Sequence, residues 1–129
     1  MYLATVSLTA GILTIATDKS TYQHGESVRF TIRNNAFTTL SFPDPGLGLM
    51  IMKLDSGEII HTGRLSPAVI HYIHPLQSET STWDQTEFVA NENGRFEYRF
   101  VAPGDYVASV KTAGGFEPSA RAEVTFRLS

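Results

Sequence analysis

An antiparallel β-sandwich is the fold class that this sequence predicts. Three observations carry it: apolar side chains recur at every second position in one segment after another, Gly, Pro, Asn and Asp break the chain roughly every ten residues, and no segment shows the three-and-four apolar spacing of a helix. About eight to ten short strands follow, in one domain over residues 1–129, because each alternating strand buries one face and must close against a second layer.

Taken in order, residues 2–9 alternate, Gly11 interrupts them, and residues 12–17 resume with Leu13 and Ile15 on one face, which predicts one kinked strand or two short ones. Asp18, Lys19 and Ser20 lead to a turn that Gly25 ends. The clearest strand comes next: Val28, Phe30 and Ile32 alternate with Arg29, Thr31 and Arg33, and Asn34 and Asn35 tolerate the backbone that ends it. Residues 37–42 read as a strand rich in Thr and aromatic side chains, closed by Pro43, Asp44, Pro45 and Gly46. Residues 47–54 are the most apolar run and are expected to be covered on both faces, with Asp55, Ser56 and Gly57 closing a hairpin between 48–54 and 58–62.

Residues 63–67 read as loop, 68–74 as strand, and 78–84 as a strand ending at Trp83. After a turn at residues 91–94, Phe96, Tyr98 and Phe100 alternate with Arg95, Glu97 and Arg99, which puts three rings on one face. Following the turn at Pro103, Gly104 and Asp105, Tyr106, Ala108 and Val110 point one way while Val107, Ser109 and Lys111 point the other. Gly114, Gly115 and Pro118 mark a last hairpin, and Ala122, Val124, Phe126 and Leu128 face inward along the final strand. Pro103-Gly104-Asp105-Tyr106 stands where an immunoglobulin-like sandwich has its tyrosine corner, and Ala108 takes the place of the cysteine of antibody domains. An immunoglobulin-like antiparallel sandwich is the expected variety, with an up-and-down barrel as the alternative.

At 129 residues the chain is long enough to build a core without a metal or a disulfide. With no cysteine it has no thiol nucleophile and no thiolate ligand, and its compartment stays open. Ten Lys and Arg against 13 Asp and Glu give a net charge of −3, and the basic residues are scattered singly, which excludes a nucleic-acid-binding surface. Residues 1–16 have no basic start, carry Thr5, Ser7, Thr9 and Thr14, and are too short to cross a bilayer, so they read as strand.

No residue pattern predicts catalysis. No G-x-S-x-G elbow is present, and the glycine pairs near residues 46–48 and 114–115 lack the strand-to-helix context of a phosphate loop. His71 and His74 are spaced so that a strand sends them to opposite faces, and with His24 and His61 they read first as solvated side chains rather than metal ligands. Asp84, Glu87, Glu92 and Asp105 lack the close alternation of a calcium loop. No cofactor and no metal are expected. Trp83, the single tryptophan, reads as a core ring. Binding is expected at the end loops, which a rigid frame holds: residues 42–49, 63–67 and 85–94. The candidate partner-binding residues are Pro43, Asp44, Pro45, Leu47 and Leu49, an apolar tip stiffened by its prolines.

Tyr22-x-x-Gly25-Glu26-x-Val28-x-Phe30-x-Ile32-x-Asn34, then Leu40-Ser41-Phe42-Pro43, then Met52-Lys53-Leu54-Asp55-Ser56-Gly57-Glu58-Ile59-Ile60, then residues 76–84 and Pro103-Gly104-Asp105-Tyr106, resemble in their order the intracellular proteinase inhibitor (BsuPI-like) domain. The resemblance covers residues 22–110. It implies an immunoglobulin-like fold, no catalytic residues, and a serine proteinase as partner. The chain departs from the family at His61-Thr62-Gly63-Arg64, where the family has a tryptophan-containing stretch, and at Gln77-Ser78-Glu79, where it has a Pro-Gly turn. The expected function is a non-enzymatic module that binds another protein, an inhibitor-like domain acting through an end loop. The alternative is a structural module of the cell surface or of a filament that pairs with a neighbour's sheet through residues 2–17.

Overall fold

The computed structural model describes residues 11–43, 46–62, 70–113 and 120–129. The strand expected over residues 2–9, the loop at 63–67 and the glycines at 114–115 lie outside the described residues. Along the chain run β1 (Leu13–Thr17), β2 (Thr21–Tyr22), β3 (Val28–Asn34), β4 (Leu40–Pro43), β5 (Met50–Lys53) and β6 (Ile59–Thr62). They are followed by β7 (Ile70–Ile73), β8 (Ser78–Trp83), β9 (Thr86–Ala90), β10 (Phe96–Phe100), β11 (Gly104–Lys111) and β12 (Arg121–Leu128). A single turn of 3-10 helix, Gly46–Gly48, is the one helical element among the described residues. None of the described helical structure is long and apolar enough to cross a membrane.

The strands form an all-β, sandwich-like fold from a three-stranded sheet in the order β1-β3-β8, a five-stranded sheet in the order β2-β12-β11-β5-β6, and two-stranded pairs β4-β7 and β9-β10. Among the described residues every pairing is antiparallel except the short one between β12 and β2. Alternation decides what lies between the layers. Val28, Phe30 and Ile32 of β3 are buried while Arg29, Thr31 and Arg33 are exposed, and Ala122, Val124, Phe126 and Leu128 of β12 repeat the pattern. The two sheets meet ring on ring: Phe30 lies 5.6 Å from Phe126, and Trp83 lies 6.1 Å from Tyr106 and 6.2 Å from Phe126. Each such burial is worth about 1.5–3 kcal/mol, so this cluster is the main source of cohesion between the layers.

Two polar devices fix the frame. The Tyr106 hydroxyl donates to the Ala102 carbonyl at 2.5 Å, which is the tyrosine corner expected from the sequence, and Ala108 beside it is fully buried. Asn34 ends β3 with its side chain buried and fully used: Nδ2 donates to the Thr38 and Ile73 carbonyls at 2.8 and 2.9 Å, and Oδ1 accepts from the Ala36 amide at 2.8 Å. That amide ties the three-stranded sheet to the β4-β7 pair, because two carbonyls and one N–H would otherwise go without partners.

Several expectations are corrected. Of the expected 37–42 strand only residues 40–42 are extended, within β4, and Phe37 is exposed. The 47–54 run is not covered on both faces: Ile51 is buried, Met50 and Met52 are half-buried and Leu54 is exposed, since β5 has an open outer face. Val107 and Ser109, on the other side of β11 from Tyr106, Ala108 and Val110, are buried as well, so β11 is covered on both faces. Thr86–Ala90, assigned to a loop by its sequence, is strand β9, paired along its length with β10.

Candidate interaction surface

Of the expected contact residues, Leu47 and Leu49 turn inward. Pro43 ends β4 half-buried and pairs with Ile70, while Asp44 and Pro45 lie outside the described residues. Leu47 and Gly48 both adopt left-handed backbone, with φ of 61° and 65°, and a side chain on Gly48 would come within 3.2 Å of Pro43. This tight turn folds Leu47 and Leu49 into the core, where they are 5% and 2% exposed. Those two leucines are therefore not presented to a partner. Two leucines buried at home gain more than two held in water, which is why the segment closes.

The histidines do not assemble. His71 Nε2 is 3.3 Å from Glu79 Oε1, His74 Nδ1 is 3.3 Å from the Thr39 hydroxyl, and the His24 ring packs 4.6 Å from Phe100. The acidic residues are also committed separately: Asp84 accepts from the Thr86 hydroxyl and amide, Glu87 pairs with Arg99 at 3.1 Å, and Asp105 pairs with Arg127 at 2.9 Å. Among the described residues no group of three His, Asp or Glu could hold a metal.

What the structure presents instead is the β9-β10 hairpin. Asn91 builds its turn, accepting from the Gly94 amide at 3.0 Å through its carbonyl and from the Asn93 and Arg95 amides through Oδ1, with Gly94 at φ 75°. Phe88, Phe96 and Tyr98 share one face, with ring centroids 5.1 Å apart for Phe88 and Phe96 and 4.8 Å for Phe88 and Tyr98. They are 57%, 65% and 73% exposed, and Phe100 on the same face is also exposed. The opposite face carries the Glu87–Arg99 pair.

The hairpin is rooted firmly. Gln85, at a left-handed φ of 65°, is buried between β8 and β9; its Nε2 donates to the Gln23 and Glu26 carbonyls at 2.7 and 2.9 Å, and its own carbonyl accepts from the Val101 amide at 2.8 Å. Trp83 Nε1 donates to the Thr86 carbonyl at 2.9 Å, so the expected core tryptophan also clamps the start of β9. A groove of about 1000 Å³ runs between this hairpin and β6, lined among others by Ile59, His61, Trp83, Asp84, Phe88 and Tyr98. Burial in its wall holds the His61 imidazole below its ordinary value, and the Asp84 charge opposes that shift. Sequence reading placed the three rings of β10 on one face and residues 85–94 among the loops expected to bind, but missed that Thr86–Ala90 is strand and that Gln85 roots it, since a lone glutamine before a Thr-Glu-Phe-Val run gives no periodic signal. No known family model and no curated protein matches the chain.

Proposed function

We propose that this chain is a non-enzymatic β-sandwich module that works by holding another protein, and that the aromatic face of the β9-β10 hairpin with its flanking groove is the contact. The observation that carries the reading is the exposed stack of Phe88, Phe96 and Tyr98 on a rigidly rooted hairpin. Exposed clustered rings gain on being covered, and tyrosine and its neighbours give large contact area with few rotors to freeze. A serine proteinase is the partner class that the sequence resemblance suggests, with the hairpin in place of the buried Leu47 and Leu49. The structural-module alternative rests on residues 2–17, of which only residues 11–17 are described.

A panel of serine proteinases, titrated with the intact chain and with a Phe88→Ala, Phe96→Ala, Tyr98→Ala variant, tests the proposal. Inhibition that the variant loses supports it. Clean cleavage of the chain with full proteinase activity retained counts against the inhibitor reading.

A further inference from the structure

The outer edge of β10 is unoccupied by any described strand, because the hairpin pairs β10 with β9 alone. The orientation of its backbone groups follows from the ends of the ladder: Asn91 N–H donates to the Arg95 carbonyl at 2.6 Å and Val101 N–H donates to the Gln85 carbonyl at 2.8 Å. In an antiparallel pair such positions alternate. Arg95, Glu97, Arg99 and Val101 therefore aim their N–H and C=O groups at β9, and Phe96, Tyr98 and Phe100 aim theirs outward. Natural sheet edges are commonly blunted by proline, by charged side chains or by a bulge; Phe96–Phe100 has no proline and pairs with β9 without a register shift, and its two charges, Glu97 and Arg99, are of opposite sign.

We propose that this edge pairs with the same edge of a second copy, antiparallel, about a two-fold axis at Tyr98. Parity, charge and overlap select that register: an axis at Phe96 would also set Arg95 opposite Glu97 but would run the contact into the turn at Gly94, whereas one at Tyr98 uses all of Phe96–Phe100. Only residues with outward backbone groups can exchange hydrogen bonds, so Tyr98 faces Tyr98 of the second copy and Phe96 faces its Phe100. The intervening residues then fall as Glu97 opposite Arg99, twice by symmetry. A two-fold axis at Glu97 would set Glu97 against itself and Arg95 against Arg99, and one at Arg99 would set Arg99 against itself. Like charges directly opposite across strands are unfavourable and opposite charges favourable. The two-fold at Tyr98 is thus self-complementary, as an isologous contact requires, and it joins the aromatic faces of two hairpins into one four-stranded platform. This inference goes beyond the protein-binding reading and does not rest on it, because it uses the edge of β10 rather than its aromatic face.

Sedimentation equilibrium of the full chain tests it. The mass is expected to rise with concentration from 14.2 kDa to twice that value. Glu97→Arg and Arg99→Glu should each weaken the dimer about tenfold or more, because each turns both cross-copy pairs into repulsion. An equimolar mixture of the two variants should restore association, since one copy then carries positive charge at both positions and the other negative charge at both. That recovery cannot come from a variant that has failed to fold. Tyr98→Pro, which removes an outward N–H without touching the β9 ladder, should abolish the dimer. A monomer at all concentrations up to about 1 mM, or a dimer indifferent to all three substitutions, overturns the proposal, and neither outcome bears on proteinase binding.

Discussion

β3 and β10 are written in the same grammar and meet opposite fates. Val28, Phe30 and Ile32 on one, and Phe96, Tyr98 and Phe100 on the other, alternate with charged or polar residues, yet the first set is fully buried and the second stands in solvent. The difference is what lies across from each face. β3 has β12 opposite, with Phe126 to meet Phe30, whereas Phe96 and Tyr98 have no described layer over them, Phe100 meets only the tilted His24 ring among the described residues, and a groove runs at the side of the pair. Alternation marks a face as fit for covering. It does not say whether the cover belongs to the same chain.

The contrast can be broken most sharply by shortening one ring on each side. Phe126→Ala should lower stability by about 3–5 kcal/mol, as a buried aromatic with four ring neighbours leaves a large cavity. Tyr98→Ala, on an exposed face, should change it by less than about 0.5 kcal/mol. Urea unfolding of the two variants measures both, and a comparable loss from Tyr98→Ala would mean that the hairpin face is covered within the chain.

An intermediate effect is expected where the two regions join. Gln85→Ala removes the donors that serve the Gln23 and Glu26 carbonyls and should cost about 1–3 kcal/mol. Amide hydrogen exchange should localise the loss, with protection falling in β9 and β10 while β3 and β12 keep theirs. Uniform loss across all four strands would show the hairpin and the sandwich to be one cooperative unit.

The smallest effect is a pH slope from the groove wall. His61 is held below its ordinary 6.5 by burial, so as pH falls through about 6.5 the unfolded chain takes up a proton that the folded chain refuses. Stability therefore declines from about pH 6.5 down to the folded-state value and levels off below it. His61→Gln should flatten that part of the profile, as followed by thermal unfolding between about pH 5 and pH 8; an unchanged slope would place its origin elsewhere.

Much of the fold was legible because burial here has a period of two. The positions of β3 and β12 follow from it, and the tyrosine corner at Tyr106 is announced by its turn residues. Less of the candidate surface was legible. Pro43 and its neighbours carry turn residues and leucines, which suit an exposed tip as well as a folded-back one, and only the left-handed pair Leu47 and Gly48 decides between them. Gln85 and β9 gave no signal, since the role of Gln85 depends on the carbonyls of Gln23 and Glu26, far away in the chain.

The sequence by itself determined that the chain would be all strand, where most turns would fall and which side of each strand would be apolar, because these depend on near neighbours and on the pleat. Tertiary structure alone decided which apolar faces found a cover. Leu47 and Leu49 were drawn inside and Phe88, Phe96 and Tyr98 were left out, because a ring is buried only when another layer arrives above it, and that arrival is a property of the assembled sheets rather than of any segment.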